Sequence, residues 1–406
     1  MSGQRRHIGV AERRARLAVG QRLVKAARAG SPEEVGGSLV ALHGTDPASV
    51  YLAVGARLMD ATRVVPEMER ALYEDRTLIR MHGMRQTVFV FPTELVPVVH
   101  ASTGLAVAAR ARAALVKDMA RVGAPDARWL AEVETSTLAA LARRGEVTAA
   151  ELAREEPRLR EQFAYAPGKS YEGVHTVSSR LLRVLGAEGR VVRGRPLGSW
   201  TSTQFRWAAA PPCAELPVDE AQAELIRRWL AACGPATEAD LKWWTGWKVS
   251  DVRRALGAVG AVTVSVDEGV AYVLADAVEP VAAVEPWAAL LPGLDPTAMG
   301  WQERDWYCPP GLRPALFDRS GNIGPTVWWD GRIVGGWAQR PDGEIVWRLP
   351  AAEDGDRDAE GVGGEGVGGE ALDAIGAEAD RLRSWMGATR VTPRFRTPLE
   401  RELASA

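Results

Sequence analysis

Two polar residues two apart, His43 and Thr45, stand where the surrounding sequence marks the junction of two helices. Ser31-Pro32-Glu33-Glu34 supplies an N-cap, a proline at the first helical position and a glutamate three residues on, opening a helix over about 32–43. Val35, Leu39, Val40 and Leu42 give that helix one apolar face. Gly44 is expected to take the left-handed conformation that ends it. Asp46 and Pro47 then open a second helix, about 47–59, with Val50, Ala53, Val54 and Leu58 at helical spacing. His43 and Thr45 can thus point the same way from a sharp corner. A neutral imidazole near its ordinary pKa can orient a water and accept its proton, while a threonine hydroxyl can hold either partner by a hydrogen bond. The same residues also read as plain structure. A histidine in a last helical turn answers the terminal carbonyls and the dipole, and a threonine before Asp-Pro is ordinary turn chemistry. Both readings stand open on these residues alone.

The elements around the corner recur. Helices at about 32–43, 47–59 and 65–74 precede two strands, Leu78–Met81 and Thr87–Phe91, an order that matches a winged helix. A second set runs from the helix Thr135–Arg144 through the capping box Thr148–Glu151 to the helix Val174–Leu185, with Ser178, Ser179, Arg180 and Arg183, and the strands Arg190–Arg193 and Thr201–Trp207. A third runs from the helix Asp219–Cys233 through Thr237–Asp240 to Lys248–Val259, with Arg253 and Arg254, and the strands Ala261–Val266 and Val270–Leu274. Three similar units in tandem argue for a repeat architecture. After about Pro280 come short strands, glycines and tryptophans. Asp330-Gly331 and Asp342-Gly343 suit hairpin turns and suggest a small barrel or sandwich. Glu360 to Glu370 repeats Glu-Gly-Val-Gly-Gly and reads as a flexible loop. A helix at about 371–386 and a strand near Thr389–Thr392 close the chain.

Composition narrows the class. At 406 residues, with 46% hydrophobic and 25% charged residues, the chain can form packed cores in roughly two to four domains. No run of eighteen apolar residues exists, so no membrane span is expected, and Met1 to Gly20 lacks a signal core. Cys213, Cys233 and Cys308 are odd in number and have no metal spacing, which fits a reducing cytoplasm. The net charge of −2 hides an asymmetry: residues 1–30 carry eight Lys/Arg against one acid, Glu12. Such an arm can track phosphates or enter a minor groove. Only five of the fifty basic residues are lysine, a bias that weakens any single arginine as a signal. Pro167-Gly168-Lys169-Ser170 mimics a phosphate loop, but Phe163 stands where its first glycine belongs. No Gly-x-Ser-x-Gly elbow and no His-rich metal spacing occurs, so neither metal nor cofactor is expected.

Several stretches together carry a likeness to a known family. They are Leu42-His-Gly-Thr-Asp-Pro47 with Tyr51-Leu52 and Arg57, Met84-Arg-Gln-Thr-Val88, and Gly234-Pro-Ala-Thr-Glu-Ala-Asp240 with Trp244-Thr-Gly246. Leu290-Leu-Pro-Gly-Leu-Asp-Pro296, Gly300-Trp-Gln-Glu-Arg-Asp-Trp306, Asp330-Gly-Arg332 and Gly336-Trp337 extend it. The chain resembles the bacterial winged-helix DNA glycosylases of the AlkZ and AlkX (YcaQ) branches. The resemblance implies an α+β fold of three tandem winged-helix units plus a C-terminal small β-barrel. The family's catalytic signature, Gln-x-Gln or Gln-x-Asp, falls here on His43 and Thr45, a departure that keeps two polar groups at the right spacing.

The expected division is a basic arm with first helix at 1–30, winged helices at 31–125, 126–210 and 211–279, and a barrel at 280–406 with a flexible loop at 351–370. The expected activity is monofunctional hydrolysis of the N-glycosidic bond of alkylated purines, N7 or N3 and including bulky ones, in duplex DNA. It would serve base excision repair or resistance to a genotoxin. His43 and Thr45 are the expected catalytic pair. Arg5, Arg6, Arg13, Arg14, Arg85, Arg180, Arg183, Arg253 and Arg254 are expected on DNA, and Asp46, Trp301, Arg304 and Trp306 along the cleft. The partner is duplex DNA carrying alkylated bases, met by a cytoplasmic, nucleoid-associated monomer without membrane or cofactor. A non-catalytic DNA-binding regulator, or a protein that sequesters a DNA-damaging compound, is the competing reading.

Overall fold

The computed structural model describes residues 5–121, 127–165, 173–349 and 368–405. Pro167–Ser170 and residues 351–367 of the expected loop lie outside them. Helix α1 (Val10–Gly20) leads to α2 (Pro32–Leu39), strand β1 (Leu42–His43), α3 (Pro47–Gly55) and α4 (Val64–Glu69). Strands β2 (Leu78–His82) and β3 (Val88–Pro92) complete an antiparallel sheet in the order β1-β3-β2. Ser31 caps α2 by accepting from the Glu34 amide, and Asp46 caps α3 from the Ala48 amide, each with proline at the first turn.

Helix α2 stops four residues sooner than its sequence suggests. Val40 turns to a positive φ (64°, with ψ −47°), and the chain leaves as an extended edge strand. Gly44 is needed for a different reason than helix termination. A Cβ there would sit 3.2 Å from the Phe89 carbonyl carbon, so glycine lets β1 lie against β3 without displacing the β3 backbone.

The middle of the chain holds α5 (Val96–Val99), α6 (Leu105–Arg121), α7 (Ala127–Arg144), α8 (Ala149–Glu155) and α9 (Val177–Ala187). Two hairpins accompany them, β4 (Gln162–Tyr165) with β5 (Gly173–Thr176) and β6 (Val191–Pro196) with β7 (Phe205–Ala209). Next come α10 (Val218–Cys233), α11 (Glu238–Thr245), α12 (Val249–Ala258) and the hairpin of β8 (Val262–Val266) and β9 (Gly269–Val273). Both capping boxes form, Thr148 with Glu151 and Thr237 with Asp240.

The first thirty residues are not an extended arm. The Ile8 amide donates to the Ser265 carbonyl and the Ser265 amide to the Arg6 carbonyl, and Ile8 is fully buried among Val264, Val266, Ala271 and Val273. Helix α1 then lies against α10. The basic charge is largely consumed locally: Glu12 holds Arg6 and Arg16, and Glu268 holds Arg13.

The C-terminal strands β10 (Ala288–Leu291), β11 (Thr326–Trp329), β12 (Arg332–Gln339) and β13 (Ile345–Arg348) form a sheet in that order. Its outer strands do not pair, so the closed barrel is not formed among the described residues. Helix α13 (Arg313–Leu316) precedes β11, and α14 (Gly369–Met386) covers one face with Ile375, Ala379 and Leu382 against Leu290, Val327 and Trp337. Trp328, Ile333 and Ala338 enter the main core from the other face. With both faces covered, closure of the sheet on itself has nothing left to bury. Thr389–Thr392 is not a strand. Its Val391 amide donates to the Gln339 side chain at 2.8 Å instead of to a ladder. Helix α15 (Pro398–Ser405) packs on β12.

Candidate active site

His43 ends β1, directly opposite Phe89 of β3, with the two rings edge-on at 5.3 Å. The half-buried imidazole has its Nδ1 sealed from solvent without a hydrogen-bond partner. Burial, reinforced by the Arg85 charge, lowers its pKa to about 4. The ring is therefore neutral at every physiological pH. Thr45 follows on the extended chain, half-buried, and its carbonyl accepts from Arg394 Nη1 at 3.3 Å. His43 closes an edge strand, not a helix end, and Thr45 follows two residues on in the bend that leads into α3.

Asp46 is committed. Its Oδ1 accepts from the Ala48 amide at 3.1 Å and its Oδ2 from the Arg394 amide at 3.0 Å, and it is buried. It fixes the corner, each of its oxygens already holding a backbone amide. Arg57, fully buried, ties the far end of α3 down. It donates to both Asp295 oxygens at 2.7 and 2.9 Å, to Thr297 Oγ1, and to the carbonyls of Gln21 and Ala53.

The tip between β2 and β3 is the other wall. Arg85 and Gln86 both adopt positive φ, 54° and 61°, closing a turn in which the Thr87 amide donates to the Met84 carbonyl. This is the mirror-image turn that suits a hairpin, made here without glycine or asparagine. Arg85 lies 4.3 Å from the Trp243 ring centre and Arg304 lies 5.1 Å from it. The structure thus brings His43, Arg85 and Arg304 into one neighbourhood, with Trp243 of α11 as a stacking platform that sequence reasoning missed. The Trp243-Trp244 pair was the available signal: Trp244 is buried, so its neighbour must face elsewhere.

Trp301 and Trp306 do not line a cleft. They are 2% and 6% exposed, packed edge-on at 5.2 Å in a cluster with Trp229, Tyr307 and Trp328. Arg13 is buried, paired with Glu268 at 2.7 Å and lying 4.2 Å over the Trp306 ring. Arg14 donates to the Trp306 carbonyl at 2.7 Å. Neither is available to phosphate. Arg6 is held by Glu12, while Arg5 is exposed. Arg180 pairs with Asp118, Arg253 with Glu238 and Arg254 with Asp251. Arg183 is exposed on α9. The two exposed pairs of α12 can be exchanged for phosphate at small cost.

An imidazole and a threonine thus share one corner, with Arg85 and Arg304 grouped around Trp243 beside it. The chain belongs to the AlkZ-like DNA glycosylase family, whose model matches residues 37–385. Its similarity to an interstrand DNA cross-link repair glycosylase of Streptomyces sahachiroi is 35% identity over 143 residues, 33% of this chain and 38% of that protein. The aligned part therefore spans well under half of that relative. The solved structure of Streptomyces sahachiroi DNA glycosylase AlkZ matches over 94% of this chain and 98% of its own, with a TM-score of 0.67 and 20% identity. That match establishes the likeness of fold. No helix among the described residues is long and apolar enough to cross a membrane.

Proposed function

We propose that this protein is a monofunctional DNA glycosylase that hydrolyses the N-glycosidic bond of alkylated purines, including bulky and cross-linked ones, in duplex DNA. The observation that carries the proposal is the fixed corner between β1 and α3 that holds His43 and Thr45, in a chain of this family. The name of the Streptomyces sahachiroi relative supports adding interstrand cross-links to the lesions considered. Alkylation at N7 or N3 makes the base cationic. When the C1′–N bond breaks, its electrons neutralise the purine, which leaves without an acid. Water then bonds to C1′ of the oxocarbenium-like sugar and loses a proton. With a pKa of about 4, His43 is a weak base, suited to holding that water by a hydrogen bond. A water adding to an oxocarbenium centre becomes strongly acidic, so a weak acceptor suffices. Thr45 positions the water or the ring.

In this reading the three helix-and-hairpin sets act as winged-helix units, divided near residues 125, 210 and 279, that present Arg183, Arg253, Arg254 and Arg5 to phosphates. The protein would act as a cytoplasmic monomer. One observation favours the competing reading of a non-catalytic binder: Asp46 is consumed and no second carboxylate stands in the corner motif. An abasic-site assay decides. Alkali-labile sites on duplex bearing N7-alkylguanine or an interstrand cross-link are expected. Tight duplex binding with no cleavage across the lesion panel would establish the binder instead.

A further inference from the structure

Arg80 is the one charged residue in the apolar run of β2, and it is 6% exposed. Its Nε and Nη2 are sealed from solvent and have no hydrogen-bond partner. The register places Leu42, Val90 and Arg80 on one rung, so Arg80 projects from the face opposite His43, Phe89 and Met81. Helix α9 and strand β6 pack on β2. From β6, Arg193 lies 4.3 Å over the Phe205 ring, and its Nε is also buried without a partner. Burial and the charges of Arg80, Arg394 and Arg183 push Arg193 down to about 9. Burial and the charges of Arg193 and Arg183 push His82, two residues along β2, down to about 4. The neighbouring carboxylate, Glu69, is already bonded to Tyr51 at 2.8 Å and Arg195 at 2.7 Å. No ion pair to Arg80 or Arg193 exists among the described residues.

A natural fold does not bury like charges together without something to compensate them. We propose that Arg80, Arg193, Arg183 and Arg394 form a pocket for a phosphodiester of the DNA backbone, across the three-stranded sheet from His43. The proposal rests on the DNA-directed reading above and adds a site to it. An anion with several acceptor oxygens fits forked guanidinium donors, whereas a cationic alkylated base would be repelled. Arg183 is exposed on α9, which packs on β2. Arg394 also bonds the Thr45 carbonyl, so a phosphate seated there steadies the corner on its own side of the sheet.

Thermal melting of the full chain with inorganic phosphate as the probe reads the pocket. The wild-type midpoint should rise with phosphate. Arg193→Gln should melt at least as high as wild type without phosphate and respond to it weakly or not at all. A variant that melts lower without phosphate, or a wild type that ignores phosphate, would overturn the idea of an uncompensated cluster. Duplex containing a stable abasic analogue reads the backbone contact. Arg193→Gln should lose about tenfold in affinity on every sequence, with the salt slope flatter by about one. A methylphosphonate walked along the strand should weaken wild type at one linkage and leave Arg193→Gln unaffected there. If Arg193→Gln does not fold, Arg193→Lys and the methylphosphonate scan on wild type replace it. Phosphate stabilisation without any sensitive linkage would sink the backbone assignment and leave a free-phosphate pocket. None of these readouts needs base excision, so a chain that cleaves no lesion would refute the glycosylase reading separately.

Discussion

At the scale of single residues, the burial of His43 replaces a simple expectation with a sharper one. An ordinary imidazole would lose its function below about pH 6. With its pKa lowered to about 4, excision should stay flat from pH 8 to about 5 and fall only as the pH approaches 4. A midpoint near 6.5 would mean that the ring is solvated during turnover. His43→Ala should cost about 10²-fold or more in single-turnover excision while duplex affinity is kept. His43→Gln should retain or restore part of the rate, since it returns the family's first signature residue to the corner. Thr45→Ala should cost about 1 kcal/mol, the worth of one hydrogen bond. If His43→Ala excises a cationic lesion as fast as wild type, the histidine has no part in the reaction. The same burial bears on stability. His43 and His82 both have folded pKa values of about 4 against about 6.5 unfolded, so the unfolded chain binds more protons between those values. Denaturant midpoints should therefore be level above pH 6.5 and decline as the pH falls from 6.5 to 4.

At the scale of elements, α1 and the β2–β3 tip behave differently from what their composition suggests. The eight basic residues of the first thirty read as an arm because charge, not packing, dominates them in sequence. The exception that mattered is Ile8, a lone apolar residue whose partners, Val264 to Val273, lie some 260 positions away. Arg13→Ala should therefore lower the unfolding midpoint, because it strips Glu268 of its partner and Trp306 of its cover, yet leave duplex affinity per folded molecule unchanged. Weakened binding by a fully folded Arg13→Ala protein would restore the phosphate role. At the tip, Gln86 holds φ 61°, a conformation that costs an ordinary side chain about 1 kcal/mol or more. Gln86→Gly should stabilise the fold by up to about 1 kcal/mol in urea unfolding, and any loss of excision beside that gain would mark the strain as functional.

At the scale of the molecule, helix starts were readable because local signals specify them: Ser31, Asp46, Thr148 and Thr237 all cap as their spacing requires. The corner was readable as a location but not as a conformation. Strand β1 is two residues long, and what makes it a strand is β3, nearly fifty residues later. Trp301 and Trp306 were misplaced because a tryptophan-rich motif carries no mark of which face will be covered. Arg80 was overlooked although a charge between Ile79 and Met81 is itself a signal that something inside needs it. Arg57 and Asp295 show how the ends of the chain depend on each other. Removing one partner of a fully buried pair leaves the other uncompensated, so Arg57→Ala should cost about 3–5 kcal/mol, and Asp295→Asn should also be strongly destabilising. Independent melting of an N-terminal and a C-terminal half, unaffected by either change, would show that the two parts fold separately.

That pair also sets a clock on biosynthesis. Asp295 follows Arg57 by 238 residues, so at ordinary elongation rates roughly 12 to 48 s pass on the ribosome between the two emerging. Throughout that interval the Arg57 guanidinium, just past the end of α3, lacks its carboxylate. The N-terminal portion of a nascent chain must wait, however well its own helices are capped. The corner bearing His43 is made long before Asp295 and is anchored only after it, so a chain stopped between the two leaves α3 without its far tether.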